Sequence, residues 1–276
     1  MGNCQYCGKP TGFLKKKHPE CERLHKNGWK SMLETAKKSV MSGEGFNSLL
    51  PQLENLARKS YISKGKIREV LIQGWSNAVT DFLDDGVLSE EEEKYLTEFQ
   101  EHFNLSQSEL DSNGSLTKTV KAAILRDVLN GEIPEKINIK NSLPFNLQKT
   151  EKMIWLFNNV EYYEEKTRRH YEGGHQGFSI RVAKGLYYRA GAFKGYPVEK
   201  TEIVPIDIGL MGITNKHIYF TGDRKSFRVK YDKIVSFTPY DDGIGIQRDA
   251  ASAKPQIFKT NDGWFSYNLI SNLAQI

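Results

Sequence analysis

Cysteine is scarce in this sequence, and its placement is uneven. The 276 residues contain three cysteines, Cys4, Cys7 and Cys21, all within the first 21 positions. Three thiols are too few for the dense disulfide framework of a small secreted domain. If one constellation uses all three, none remains for a disulfide, and we expect a reducing compartment.

Long apolar runs are also absent. No stretch approaches the roughly 20 apolar residues of a membrane span, and no apolar signal-peptide core lies near Met1. An apolar fraction of 38% and a charged fraction of 26% are typical of a folded globular protein, and the length allows one large domain or two to three small ones. We therefore expect an intracellular, cytoplasmic protein.

The net charge of +5 is distributed unevenly. Residues 1–40 hold nine Lys/Arg and three Asp/Glu, a net +6; residues 41–140 hold eleven and seventeen, a net −6; the remainder is +5. This alternation predicts three units. Deprotonation of three metal-bound cysteines would lower the net charge of residues 1–40 by three, so the amino-terminal unit would be only mildly basic.

The three cysteines and a histidine form two short-spaced pairs. Cys4 and Cys7 stand in C-x-x-C, and His18 and Cys21 follow in H-x-x-C after ten residues. Zinc prefers a tetrahedron of thiolate and imidazole ligands, which two such pairs can supply. The sequence therefore predicts one Zn²⁺ bound by these four residues, with His25 as the alternative to His18. The spacing resembles that of zinc-ribbon and treble-clef fingers, whose second ligand pair often sits at a helix start.

The same stretch allows a different interpretation. Gly2, Cys4 and the lysines at 15–17 suggest a doubly acylated, polybasic membrane anchor. The myristoylation pattern requires Ser or Thr at the sixth position, where this chain has Tyr6. That departure favours the metal site.

Nucleic-acid binding is a further alternative. A stacking ring is available in Phe13 or Tyr6. The candidate cationic contacts are Lys15, Lys16 and Lys17, with Lys9 and Lys26 beside them. The modest net charge of the segment makes this interpretation secondary to a zinc-binding interaction module.

Residues 45–135 carry apolar side chains at helical spacing, which predicts a helix bundle. Two capping boxes are predicted inside it. Ser89 with Glu92, and Ser106 with Glu109, have the serine-to-glutamate spacing that satisfies backbone N–H groups at a helix start.

An acidic turn lies in the middle of this bundle. Asp81, Asp85 and Glu92 fall at positions one, five and twelve of a calcium loop, but Leu83 at position three cannot ligate, which predicts a weak second metal site. The alternative is an acidic first turn that complements the helix dipole. The acidic-Gly-x-Leu-Ser-x-x-Glu pattern over residues 85–92 resembles the TerB family of tellurite-resistance proteins, and this resemblance implies a stress-linked interaction module.

The carboxyl third changes pattern. A connector with a helical or mixed stretch from Glu151 leads into short segments, from "FSIRVAKG" to "PQIFKT", that predict strands. Asp262 is placed to cap a final helix. We expect Trp264, Phe265, Leu269 and Leu273 to be buried on that helix and Ser266 to face outward.

Antiparallel strands followed by one amphipathic helix is the order of a pleckstrin-homology-like barrel, whose open end the helix plugs. "GLMGITNKHIYFTG" followed by "FRVKYDKIVSF" resembles the bacterial PH-like and GRAM-like domains, over residues 178–276. The resemblance implies binding of proteins, peptides or membrane surfaces rather than catalysis.

Taken together, the chain is predicted to be a multidomain α+β protein. The predicted parts are a zinc finger with its following helix (1–40), an all-α TerB-like bundle (45–135), a connector (136–174) and a PH-like β-barrel capped by an α-helix (175–276). No catalytic motif is found, since His170 and His175 lack a nucleophile or a third ligand. We therefore expect a non-enzymatic bacterial adaptor in a stress or defence response. A protein is the first expected partner, with a membrane surface or nucleic acid as alternatives.

Overall fold

The computed structural model describes residues 2–12, 15–84, 86–137, 143–183, 186–250 and 253–276, with only the backbone described over 167–200. Its contacts divide the chain into two compact units, Met1–Glu132 and Ile133–Ile276. The described secondary structure is mixed α+β, as predicted. None of the described helices is long and apolar enough to cross a membrane.

The first unit is helical. Its helices are α1 (Pro19–Ser42), α2 (Phe46–Lys59), α3 (Ile67–Phe82), α4 (Glu90–His102), α5 (Gln107–Leu110) and α6 (Ser115–Leu129). The predicted apolar stripe of α3 is the buried one, with Val70, Trp75 and Val79 almost inaccessible. The indole N–H of Trp75 donates to the carbonyl of Leu96 at 3.0 Å, so even its polar group is satisfied in the core.

Helix α1 connects the amino-terminal loop to the bundle. Met32, Ala36 and Val40, spaced four apart, are fully buried where α1 packs against α2, α3 and α4. The helix ends at Gly43, whose φ of 66° is left-handed and whose N–H donates to the carbonyl of Val40. The predicted finger and bundle segments thus lie in one compact unit.

Both predicted capping boxes are present. At the start of α4, Ser89 Oγ accepts from the N–H of Glu92, and the Glu92 carboxylate accepts from the N–H of Ser89 at 2.9 Å. Ser106 and Glu109 repeat the arrangement at the start of α5. These local signals were readable from sequence because each box spans only four residues.

The second unit is an antiparallel sheet followed by a helix. Its elements are β1 (Met153–Ala183), β2 (Leu186–Thr214), β3 (His217–Gly222), β4 (Ser226–Lys230), β5 (Ile234–Tyr240), β6 (Gly243–Arg248), β7 (Gln256–Lys259) and α7 (Gly263–Leu273). The sheet order is β4-β3-β2-β1-β7-β6-β5, and the sheet curls into a half-barrel. Each segment predicted as a strand from Phe178 onward overlaps one of these strands, and where it runs past a strand end it does so by one or two residues.

Strand β1 begins earlier than expected. It starts at Met153, so the expectation of a helical or mixed stretch there is wrong. Pairing with β2 shifts register between Phe157 and Val160, and Asn159 has a left-handed φ of 53°, which marks a bulge. Phe157 and Val160 are both buried although they are three residues apart, so the bulge hides the alternation by which a strand is recognised.

Helix α7 packs against β5 and β6. Phe265, Leu269 and Leu273 are buried, as predicted. The Asp262 carboxylate caps the helix by accepting from the N–H of Phe265 at 3.1 Å.

Two residues of α7 face opposite to the prediction. Trp264 is 65% exposed, so the expectation that it is buried is wrong. Ser266, expected outside, is fully buried, and its hydroxyl bonds Thr260 Oγ1 at 3.1 Å and the Gly263 carbonyl at 3.2 Å. A hydroxyl whose hydrogen bonds are made inside the protein can be buried at little cost, which a polarity pattern does not reveal.

Candidate metal centre

The four predicted ligands come together. The sulfurs of Cys4, Cys7 and Cys21 and a ring nitrogen of His18 all lie within 4.8 Å of one another. Cys4 and Cys21 are buried, whereas Cys7 and His18 are partly exposed. In the part of the chain that the structure describes, no other group of three or more Cys, His, Asp or Glu residues is placed to hold a metal ion.

A small hairpin presents the first pair. Asn3 and Pro10 form an isolated antiparallel bridge, and the N–H of Cys4 donates to the carbonyl of Lys9 at 2.8 Å. Gly8 makes the turn possible, because its φ of 71° is left-handed and strains residues with a side chain. The hairpin therefore holds both Cys4 and Cys7, and its fold keeps them close together.

The start of α1 presents the second pair. His18 is the extended N-cap residue, Pro19 occupies the first helical position, and Cys21 falls in the first turn. The positive end of the helix dipole favours an anionic sulfur at this place. The expected link between the second ligand pair and a helix start is present.

The histidine is held in the tautomer that a metal needs. His18 Nε2 lies 3.1 Å from the carbonyl oxygen of Pro10, an atom that can only accept, so Nε2 carries the proton. The lone pair of Nδ1 then faces the sulfurs, at 3.4 Å from Cys7 and 3.8 Å from Cys21. A ring fixed through its other nitrogen is the usual arrangement at protein metal sites.

These separations fit a tetrahedral zinc site. Zn–S bonds of about 2.3 Å and Zn–N bonds of about 2.0 to 2.1 Å place a ligand sulfur and a ligand nitrogen about 3.6 Å apart on a tetrahedron. The observed 3.4 Å and 3.8 Å lie on either side of that value. The donor set, three soft thiols and one imidazole, also matches zinc.

The pKa values of two of the thiols are shifted in opposite directions. Burial acts to raise the pKa of Cys4, but hydrogen bonds from the backbone of Cys7, His18 and Tyr6 outweigh it and lower the pKa to about 6. Burial raises the pKa of Cys21 to about 11, and the neighbouring Cys7 and Cys4 sulfurs add to the effect. Three thiolates so close together repel one another, and a divalent cation removes that repulsion.

The cluster is tied to the bundle beside it. Tyr61 follows α2 with a left-handed φ of 56°, and the charge of Cys21 is the foremost cause that raises the pKa of its hydroxyl. Gly28 of α1 packs on the neighbouring Ser60. Cys4, 2% exposed, is poorly placed to receive an acyl chain, which further favours the metal site over the anchor interpretation.

The predicted nucleic-acid contacts differ among themselves. Lys15 and Lys16 are exposed, whereas Lys17 forms an ion pair with Glu22. The rings of Tyr6 and His25 lie with centroids 4.7 Å apart and planes tilted by 37°, so His25 contacts the finger without belonging to the ligand cluster. Phe13 lies outside the described residues, and nucleic-acid contact stays a prediction.

Two of the three residues predicted to form the second metal site make other contacts. Asp81 Oδ2 lies 2.5 Å from Lys37 Nζ, and Glu92 belongs to the capping box of α4. Asp85 lies outside the described residues. Metal binding at this turn stays a prediction.

Sequence reasoning missed a buried polar network in the second unit. The fully buried Glu151 carboxylate lies 2.8 Å from His217 Nδ1 and accepts from the hydroxyls of Tyr219, at 2.7 Å, and Thr214. Burial acts to raise the pKa of Glu151, but hydrogen bonds, first that from the N–H of Gln148, outweigh it and lower the pKa. The three side-chain partners, Thr214, His217 and Tyr219, lie 63 to 68 residues from Glu151 in sequence, so no local sequence pattern indicates them.

His170 and His175, considered above for catalysis, lie where only the backbone of β1 is described.

A scan against protein-family models finds no match for this chain, and a search of curated proteins finds no similar sequence.

Proposed function

We propose that this chain is a non-enzymatic, zinc-binding adaptor, in which the metal centre shapes the amino-terminal unit and both units offer surfaces to partners. The observation that carries the proposal is the cluster of four protein ligands at the start of α1. Structural zinc sites use four protein ligands, whereas catalytic sites keep one position open for water or substrate. A site with all four positions filled favours a structural role.

The finer identity of each unit is also part of this proposal. A TerB-like nature of the first unit is supported by its helical core and by the capping box of Ser89 and Glu92 within the quoted pattern. A PH-like nature of the second is supported by its curled antiparallel sheet and the α-helix that follows β7. Such an adaptor would act in the bacterial cytoplasm, in a stress or defence response, through protein or membrane-surface binding by the second unit.

The metal content tests the proposal directly. Protein purified without chelator is expected to hold one zinc per chain, measured by plasma mass spectrometry. His18→Ala should lose most of that zinc, while His25→Ala, a histidine one helical turn beyond Cys21, serves as the matched control and should retain it. Less than about half an equivalent in the parent, or equal zinc in both variants, contradicts the assignment.

The adaptor role needs a second experiment. The parent chain and the Cys4→Ser plus Cys7→Ser variant are used as baits in bacterial lysate, and partners are identified by mass spectrometry. A defined set of proteins captured by the parent supports the role, and its loss in the variant places the interaction on the zinc-bound unit. Turnover of a small molecule by the purified chain would contradict the non-enzymatic assignment.

Single-stranded nucleic acid is the second candidate partner. The tilted ring pair of Tyr6 and His25 lies close in sequence to the candidate ligands, and Lys15 and Lys16 are exposed nearby in sequence. Stacked bases and neutralised phosphates are the two contacts such binding uses. Retarded migration of a labelled oligonucleotide, weakened by salt and by Tyr6→Ala, would support this candidate, and its absence would remove it.

A further inference from the structure

The exposed indole of Trp264 is out of place for a core helix. Trp264 is 65% exposed, while the next two residues of α7, Phe265 and Ser266, are 1% and 0% exposed. A single exposed apolar residue is ordinary, but tryptophan is also the side chain most enriched at interaction hot spots. Whether Trp264 is part of a binding surface depends on which residues lie beside it.

The backbone from Thr260 to Gly263, at the start of α7, packs closely against the turn between β5 and β6. A β-carbon built on Gly263 would stand 2.0 Å from the carbonyl oxygen of Tyr240, so only glycine allows this approach. The carbonyl of Asp242 accepts from the N–H groups of Thr260 and Asn261, both at 2.9 Å. Trp264 thus directly follows a residue that packs against this acidic turn.

That turn carries excess negative charge. Asp241 and Asp242 are exposed, and Glu161 of β1 lies close by. Lys259 Nζ lies 3.3 Å from Asp242 Oδ2 and 3.9 Å from Glu161 Oε1. Glu161 and Asp242 thus share one ammonium, and Asp241 adds a third, exposed carboxylate next to Asp242 in sequence. These four residues carry a net negative charge, which attracts cations and repels the anionic lipids and phosphates with which basic patches associate.

We propose that Trp264, Asp241, Asp242 and Glu161 form a docking surface for an arginine-bearing segment of a partner protein. A guanidinium can stack on the indole face while its N–H groups bond a carboxylate, two contacts that a lysine ammonium cannot make together in the same way. This inference rests on the proposed adaptor function and specifies the chemistry of one partner. It also assigns the surface to a protein rather than to a membrane.

The test uses the full chain and a fluorescein-labelled hexa-arginine peptide, followed by anisotropy at low and at physiological salt. Hexa-lysine should bind more weakly, and hexa-glutamate should not bind. Trp264→Ala is expected to weaken hexa-arginine binding about two- to fivefold, because a cation–π contact at an exposed site contributes about 0.5 to 1 kcal/mol. Asp241→Asn plus Asp242→Asn should weaken it as well.

Matched controls separate this surface from general attraction to acidic protein. Glu90→Gln plus Glu101→Gln removes two exposed charges from the first unit, and Leu129→Ala removes a side chain that is 66% exposed there. Both should bind as the parent does. Equal affinity of Trp264→Ala and parent, equal affinity for hexa-lysine, or binding of phosphatidylserine vesicles that Trp264→Ala abolishes would overturn the proposal.

Zinc content measured on the same samples distinguishes the two levels of inference. Parent protein that binds hexa-arginine but lacks zinc would contradict the proposed zinc centre and leave this surface standing. Zinc-loaded parent that binds hexa-arginine no better than Trp264→Ala does would contradict this surface alone.

Discussion

Gly28 of α1 lies so close to Ser60 that a β-carbon built on the glycine would stand 1.9 Å from the serine hydroxyl oxygen and 2.1 Å from its β-carbon. Real β-carbons do not approach other atoms so closely, and Ser60 is itself buried. The contact joins the helix that carries Cys21 to the end of α2. The segment that carries the candidate ligand Cys21 and the bundle are therefore packed as one body.

Gly28→Ala should destabilise the first unit. Forcing a methyl group into this contact is expected to cost about 1 to 3 kcal/mol, seen as a lower midpoint in denaturant. Ser60→Gly should restore part of the loss in the double variant, because it removes both atoms that collide. Gly65→Ala is the control in the same unit, since the nearest atom to its added β-carbon is 3.7 Å away. A parent-like midpoint for Gly28→Ala would contradict the packing.

Removal of the metal should loosen α1 more than it loosens the sheet. Cys21 lies in the first turn of α1, whose residues Met32, Ala36 and Val40 are core residues of the bundle. A ligand bound only by the folded state stabilises it by about 4 kcal/mol at a thousandfold excess over Kd, and a chelator takes this away.

Hydrogen exchange with and without chelator measures the effect. Amides of residues 4–12 and of the first turns of α1 should lose protection, whereas those of β3 and β6 should keep it. Unchanged exchange in the hairpin of zinc-free protein would show that the metal does not stabilise this segment.

The ligand set and the capping boxes could be predicted because their information is local. Cys4, Cys7, His18 and Cys21 fall within 18 residues of chain, and each capping box falls within four. Spacing alone limits where such side chains can point. The clustering of these four side chains and the two capping boxes could be anticipated for the same reason that a short loop has few conformations, whereas zinc binding stays a prediction.

Other features depend on contacts that sequence spacing does not encode. The bulge at Asn159 changes which residues of β1 face inward, and Glu151 finds its partners on strands far along the chain. Trp264 faces outward, whereas Ser266 is buried where its hydroxyl accepts from Thr260 Oγ1 and donates to the Gly263 carbonyl. Hydrophobic periodicity cannot anticipate a buried hydrogen bond.

The Glu151 network should make the second unit sensitive to acid. Because hydrogen bonds lower the pKa of Glu151 in the fold, the carboxylate contributes stability that is fully present above its unfolded pKa, about 4.3, and is lost as pH falls through the lower folded value. Tyr219, His217, Tyr231 and Thr214 surround it. Glu151→Gln should lower stability near neutral pH and flatten the dependence below about pH 4.3.

Thermal unfolding of the full chain between neutral pH and about pH 3, with exchange of β2 and β3 amides as the local readout, measures this dependence. Glu135→Gln is the matched control in the same unit, because the Glu135 side chain is 67% exposed in its ion pair with Lys152. An acid dependence of Glu151→Gln as steep as that of the parent would mean that another group is responsible.

The two aromatic residues at the start of α7 should behave oppositely. Phe265 is 1% exposed and meets the ring of Trp155 edge-on at 5.0 Å and that of Phe157 at 5.9 Å, whereas Trp264 faces solvent. Phe265→Ala leaves a cavity in the core and is expected to cost about 3 to 5 kcal/mol, a large share of a domain's stability of about 5 to 15 kcal/mol. Trp264→Ala should change stability by no more than about 0.5 kcal/mol, because it removes a largely solvated side chain. Equal losses in the two variants, measured by denaturant unfolding of the full chain, would mean that the indole packs against the protein in solution and that the docking surface does not exist in the form proposed.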